Sequence, residues 1–258
     1  MDLQLKGKTA IVTGGSAGIG LAITKALAAE GVTVTVPGRS KDKLDKALAS
    51  LSNVHAISAD VATAEGAQAL IQQVPNTDIL INNLGVYEPK AFVDITDADW
   101  LGIFETNVLS GIRLSRHYFP GMLQRNDGRV IFISSESGVM TPPEMIHYGV
   151  TKSSQLAISR GLAELTKGTT VTVNTVMPGP TRSEGIVDFL KKLSATPNAT
   201  PEQAEREFFE KHRSSSLLQR LIETREIADL VAFLASPLSA ATNGAALRAE
   251  GGLLRSIV

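Results

Sequence analysis

Cysteine is absent from the 258 residues, which excludes disulfides, thiolate nucleophiles and cysteine-based metal sites. The absence fits a reducing compartment, although chains without bridges also occur outside one. Neither charge sign is in excess: Lys+Arg number 25 against Asp+Glu 26, a formal net charge of −1. No basic surface is therefore offered to nucleic acid or anionic lipid. The N-terminus, Met1-Asp-Leu-Gln-Leu-Lys-Gly-Lys8, has no apolar run of signal-peptide length. Nothing later approaches the roughly 18 consecutive apolar residues of a membrane span. A cytoplasmic protein without nucleic-acid or membrane partners is expected. Linkers rich in Pro, Gly and Ser, charge blocks and internal repeats are missing too, so one domain over residues 1–258 is expected.

What is present alternates. Thr9-Ala-Ile-Val-Thr13 is a short run rich in β-branched residues that ends at Gly14-Gly-Ser-Ala-Gly18-Ile-Gly20. Ile19, Ala22, Ile23, Ala26 and Leu27 then recur at helical spacing until Glu30-Gly31. Strand, glycine turn and helix in that order create an anion site, because unpaired N–H groups and the helix dipole point at one place. The spacing is G-x-x-x-G-x-G, unlike the usual G-x-G-x-x-G fingerprint. Further strands are expected at Val32–Val36, Val54–Ser58, Asp78–Ile81, Gly128–Ile133, Val171–Val176 and Ala245–Arg248. Helices are expected between them, including a long one over 97–123 that carries Asn107. The pattern implies an α/β fold: a doubly wound (Rossmann-type) seven-stranded parallel sheet with helices on both faces. Ligands sit at the carboxyl ends of such strands, where Gly14, Arg39, Asp60 and Asn83 all fall. After the second strand stand Gly38, Arg39 and Ser40, with no carboxylate to repel a ribose phosphate; Arg39 suits one by charge and shape, which favours NADP(H) over NAD(H).

Tyr148 and Lys152 are four residues apart and would share a helix face. A phenol is a poor acid or base at neutral pH, and a fixed cation beside it favours the phenolate. Ser135 closes the preceding strand. Together these residues resemble the short-chain dehydrogenase/reductase family, in its compact single-domain branch that includes 3-oxoacyl-carrier-protein reductases. The match runs from Thr13-Gly14 to Gly20 through Asp60-Val61, Asn82-Asn83-Leu84-Gly85, Asn107, Ser135, Tyr148 and Lys152. It continues to Pro178-Gly179-Pro180-Thr181 and Glu250-Gly251-Gly252.

The resemblance implies hydride transfer between NADP(H) and a carbonyl or secondary alcohol of a small-molecule substrate. Tyr148 would be the general acid/base, assisted by Lys152, Ser135 and Asn107, the last holding a water of the proton relay. Gly14, Ser16, Gly18, Ile19 and Gly20 would receive the pyrophosphate. Arg39 and Ser40 would meet the adenosine ribose, and Asp60 and Val61 the adenine. Asn83 and Gly85 would line the cleft, while Pro178, Gly179, Thr181, Tyr148 and Lys152 would hold the nicotinamide end. The family assembles as dimers and tetramers, so the resemblance implies a homo-oligomer, a dimer or a homotetramer. Three departures stand out: Leu84 in place of alanine, Glu250 in place of aspartate, and Glu136 directly after Ser135, its direction open.

Residues 182–219 are expected to form a substrate lid. Phe189, Leu190, Phe208 and Phe209 are either a pocket wall or the core faces of two short helices; His212-Arg213 could meet an acidic substrate, but a solvated charge pair is expected. Other readings stay open: a non-catalytic nucleotide sensor or scaffold on the same fold, an NAD-preferring alcohol dehydrogenase, and, disfavoured by length, a dehydratase or epimerase.

Overall fold

The computed structural model describes residues 1–196 and 198–257. Strand and helix alternate through β1 (Thr9–Val12), α1 (Gly18–Ala29), β2 (Thr33–Gly38), α2 (Lys41–Leu48), β3 (Val54–Ser58), α3 (Ala64–Gln73) and β4 (Ile79–Asn82). Next come α4 (Asp97–Phe104), α5 (Ser110–Arg125), β5 (Arg129–Ile133), α6 (Ile146–Glu164) and β6 (Thr172–Pro178). The remainder holds β7 (Thr181–Arg182), α7 (Ile186–Leu193), α8 (Pro201–Lys211), β8 (Ile222–Glu223), α9 (Thr224–Ala235) and β9 (Ala246–Ala249).

Seven strands form one parallel sheet in the order β3-β2-β1-β4-β5-β6-β9. This is the expected doubly wound sheet. Alternate strand residues feed opposite cores, and both are apolar because helices cover both faces. Ala10, Val12, Val34, Val36, Ile79 and Ile81 pack with Ile23 and Leu27 of α1 and Ile227 and Val231 of α9. Ile11, Leu80, Val130 and Phe132 pack with Leu70 of α3 and Leu114, Phe119 and Met122 of α5. Each such fully buried side chain stabilises the fold by about 1.5–3 kcal/mol. The strand order turns back between β1 and β4, which opens a crevice at the carboxyl ends of those strands.

Two features of the chain modify the sheet's surroundings. The long helix expected over 97–123 is two helices, α4 and α5, joined by a π-helical turn at Glu105–Leu109. Such one-residue insertions occur often at functional positions, and this one carries Asn107. Over the carboxyl end of the sheet, α7 and α8 pack through Phe189, Leu190, Phe208 and Phe209, together with Met145 and Leu221. A capping box between Thr200 and Gln203, with Pro201 in the first turn, starts α8. Glu207 ties its middle to the preceding loop, accepting from Ala195 N at 3.0 Å and Lys211 Nζ at 2.7 Å.

Candidate active site

The turn after β1 is built for close approach of a ligand to backbone. Gly14 has φ +65°, which a side chain would strain, and a Cβ on Gly20 would lie 2.2 Å from Gly14 O. Side chains brace this turn from behind. Thr24 Oγ1 donates to Gly15 O at 3.1 Å, while Asn83 Nδ2 donates to Thr13 O at 2.9 Å and Gly14 O at 3.4 Å. Asn83 is therefore a strut for the glycine turn. Ala17, the residue before α1, offers no side-chain cap, so the first amides of the helix are left for other acceptors. The Gly18 amide has found one: it donates to Glu184 Oε2 at 3.1 Å. A carboxylate from the segment after β7 thus occupies a position where the sequence leads one to expect phosphate.

Beyond the turn, Gly14, Ser16, Arg39, Ser40, Asp60, Val61 and Leu84 line one cavity of about 340 Å³, joined there by Lys43. Ser40 caps α2, accepting from Lys43 N at 3.5 Å. Among the described residues neither Arg39 nor Lys43 is in an ion pair. Leu84 narrows this cavity as one of its walls.

A second cavity, of about 150 Å³, lies over the ends of β5 and β6. Ile19, Tyr87, Ser135, Glu136, Tyr148, Pro178, Gly179 and Thr181 line it, with Phe189 and Phe208 of α7 and α8 and with Arg213. Phe189 and Phe208 thus belong to the wall, while Leu190 and Phe209 lie in the cluster behind it. Thr181 is held by its own hydroxyl, which donates to Gly179 O at 2.8 Å. Tyr87 meets the Tyr148 and Phe189 rings edge-on, with centroids 6.1 and 5.9 Å away.

Lys152 is 4 % exposed, and its Nζ stands 5.5 Å from the Tyr148 ring centroid. It donates to Ile133 O at 2.9 Å and Gln155 Oε1 at 3.2 Å. Gln155 Nε2 in turn donates to Asn107 O at 2.6 Å, which links the lysine to Asn107. Asn107 faces inward and is buried. Its Nδ2 donates to Val86 O and Thr151 Oγ1, and its Oδ1 accepts from Val86 N at 2.8 Å. Gly85 sits between these groups: a Cβ there would lie 3.5 Å from both Asn107 Oδ1 and Lys152 Nζ.

Electrostatics here departs from the expectation that Lys152 draws the phenol down. Burial, and then the negative charge of Glu136, push Tyr148 well above the ordinary phenol value; the Ser135 hydroxyl opposes them. Burial also brings Lys152 down to about 8, partly countered by Glu136. Tyr148 is thus protonated at neutral pH, the state of a proton donor. Glu136 turns inward: it is 5 % exposed, accepts from Ser135 Oγ through Oε2, and accepts from Ser137 Oγ at 3.2 Å through Oε1. Burial raises its carboxyl above the usual range, against the pull of Ser135 and Arg213.

The largest correction concerns Arg213, expected to be solvated. It is 7 % exposed, with Nε 3.7 Å from Glu136 Oε1 and Nη2 3.3 Å from Glu144 Oε1. The two buried or half-buried carboxylates, with the Phe208 ring 5.4 Å from its guanidinium carbon, hold it inside.

Residues 8–192 match the short chain dehydrogenase family. The chain belongs to the short-chain dehydrogenases. It is 49 % identical to the uncharacterized oxidoreductase YvaG of Bacillus subtilis (strain 168), over the whole of both chains. It is 31 % identical to a 3-oxoacyl-[acyl-carrier-protein] reductase FabG of Vibrio cholerae, covering 97 % of this chain and 99 % of that one. In structure it resembles L-sorbose reductase from Gluconobacter frateurii, solved with NADPH and L-sorbose, with TM-score 0.93, 29 % identity and full coverage of both.

As an NAD(P)-dependent enzyme of this family, the short-chain dehydrogenase has a cleft that fits a dinucleotide on its own evidence. A methyl on Gly20 would strike Gly14 O and Asn83 Nδ2, so the turn keeps its tight form, the start of α1 has no side-chain cap, and the Gly18 amide already donates to an oxygen from outside the turn. Gln155, Tyr87 and Glu184 are contributors that sequence reading missed, and Arg213 is one that it expected in solvent. Only the i, i+3 spacing of Lys152 and Gln155 on one helix carried any signal, and it is too common a spacing to be singled out.

Proposed function

We propose that this enzyme transfers a hydride from NADPH to a small carbonyl compound, forming a secondary alcohol, with Tyr148 as the proton donor. The observation that carries the reading is the convergence of Tyr148 and Ser135 on one cavity beside Pro178–Thr181, with buried Lys152 next to the phenol ring. Gly14, Ser16, Gly18, Ile19 and Gly20 would hold the pyrophosphate, with Glu184 displaced from Gly18. Asp60, Val61, Arg39 and Ser40 would hold the adenosine end. Pro178, Gly179, Thr181, Tyr148 and Lys152 would hold the nicotinamide end, with Asn83 and Gly85 shaping the cleft between. When bound, the nucleotide supplies the hydride.

The protein's part is to manage the oxygen. As the carbonyl carbon gains the hydride, charge grows on its oxygen, and the Tyr148 hydroxyl gives up its proton there. The Lys152 ammonium then stabilises the phenolate left behind, and Asn107 and Gln155 keep that ammonium in place. Ser135 has a single hydrogen, which points at Glu136 Oε2 in this structure. A protonated Glu136 can instead donate to Ser135 Oγ, which frees the serine hydrogen for the substrate oxygen; burial of Glu136 favours that form. Preference for NADPH rests on Arg39 and Lys43 at the far cavity and agrees with the NADPH-bound L-sorbose reductase and actinorhodin polyketide ketoreductase structures. The segment over 182–219 serves as the substrate wall of a single domain.

The test is nucleotide consumption by the purified enzyme with a panel of small ketones and ketoses. NADPH oxidation that depends on the carbonyl and yields the alcohol in equal amount is expected. Binding of neither nucleotide, or no carbonyl-dependent oxidation across the panel, would contradict the proposal.

A further inference from the structure

One charged pair in the wall of the cavity beside Tyr148 has bonding capacity to spare. Arg213 has five N–H groups, of which one donates to His212 O at 2.9 Å and one to Glu144 Oε1 at 3.3 Å. Its Nε–H, buried with the rest of the side chain, has no hydrogen-bond partner. A buried donor left in this state is costly, and a cavity-lining one is a place for a ligand acceptor. Glu136 Oε1 lies 3.7 Å from that nitrogen, too far for a good hydrogen bond between them. Oε2 of the same carboxylate touches Ser135. Arg213 and Glu136 therefore border the place where a carbonyl oxygen would meet Ser135 and Tyr148.

We infer that Arg213 and Glu136 select a substrate hydroxyl one or two carbons from the carbonyl, so that the enzyme acts on neutral hydroxyketones. This rests on the carbonyl-reductase reading above and names the substrate class for that same site. A hydroxyl is both donor and acceptor. Nε and Oε1 are 3.7 Å apart, a separation that one oxygen can bridge once the guanidinium turns its buried Nε–H towards the cavity. The hydroxyl accepts from the arginine and donates to the glutamate, and both spare capacities are filled. A plain alkyl ketone leaves them empty. A carboxylate is a poor fit despite the arginine, because Glu144 already balances that cation and Oε1 of Glu136, an acceptor, has no hydrogen to give to a second acceptor. The cavity, about 150 Å³, suits a small substrate, and Met145, Ile186, Phe189 and Phe208 cover its carbon skeleton.

The experiment compares kcat/KM with NADPH for hydroxyacetone, butanone and pyruvate, which share a methyl ketone and differ in the group beside it. Hydroxyacetone should exceed butanone by about 100-fold or more, as a site built to bond a hydroxyl rejects its absence strongly. Arg213→Lys keeps the charge facing Glu144 but loses the flat fork, and should shrink that ratio to below about tenfold. Butanone or pyruvate used as well as hydroxyacetone would overturn the inference. A second readout separates its failure from that of the reductase reading: ligand binding to NADPH-loaded protein, followed by saturation-transfer NMR. Preferential binding of hydroxyacetone, weakened in Arg213→Lys, would sustain the hydroxyl site even if nothing were reduced. Equal binding of hydroxyacetone and butanone would overturn it whatever is reduced.

Discussion

At the β1–α1 turn the groups that face the cleft are backbone amides, braced from behind by Thr24 and Asn83. At the ends of β5 and β6 they are side chains, and Ser135, Glu136, Lys152 and Arg213 are each no more than 7 % exposed. The first end depends on the absence of atoms: it fails when a Cβ is added. The second depends on charges kept out of water, which works against folding while making each group a stronger participant in chemistry. The difference teaches where this molecule trades stability for activity, and each expected result below bears on it.

The largest effect should come from Lys152→Met, with turnover reduced by about 10²–10⁴-fold. Its effect on stability has the opposite sign. Lys152 titrates at about 8 in the fold against 10.5 for the ordinary side chain. Between those values the unfolded chain binds more protons than the folded one, so wild-type stability rises with pH across that interval. Below pH 8 the whole penalty remains, about 3 kcal/mol, offset in part by the bonds to Ile133 O and Gln155 Oε1, about 1 kcal/mol each. Urea unfolding at neutral pH should find the variant without nucleotide more stable by about 1 kcal/mol, and the gain should vanish and then reverse as the pH rises towards 10.5. A variant less stable at neutral pH would remove the claim that this end is strained by its charge.

Gly20→Ala addresses the other end. Its methyl would stand 2.2 Å from Gly14 O and 2.5 Å from Asn83 Nδ2, so the turn must shift. Stability should fall by about 1–3 kcal/mol and nucleotide affinity by at least about tenfold, as calorimetry and titration would show. Smaller still is Arg39→Asp. Loss of a charge-assisted bond of about 1.5–3 kcal/mol should weaken NADPH by about 10- to 100-fold while leaving NADH nearly unchanged. Equal losses for both nucleotides would make Arg39 a general electrostatic contributor.

The same contrast explains what could be read from the sequence. The glycine turn was legible because strand, turn and helix are contiguous, and glycine advertises its own backbone demand. Tyr148 and Lys152 were legible because one helix places them together, and Ser135 because a strand ends there. Arg213 was not. It reaches the cavity from the end of α8, and its burial depends on Glu136 and Glu144, which no local pattern links to it. Glu136 had no readable direction for the same reason. The π-helical turn escaped because its residues have ordinary helical periodicity, and the partners that Asn107 bonds there, Val86, Thr151 and Gln155, lie far from it along the chain. Tyr148 lies above the ordinary phenol value because burial and then Glu136 push it up against the Ser135 hydroxyl, and neither its burial nor the direction of Glu136 shows in the sequence.

The most direct test of the account is Tyr148→Phe, read in two ways on the same preparation. NADPH affinity by fluorescence titration should stay within about threefold of wild type, because the backbone-built end is untouched. Reduction of the best carbonyl substrate should fall by about 10²–10⁴-fold, the usual worth of a positioned proton donor. Turnover near the wild-type rate would contradict the assignment of Tyr148 and, with it, the claim that the buried side-chain end performs the chemistry.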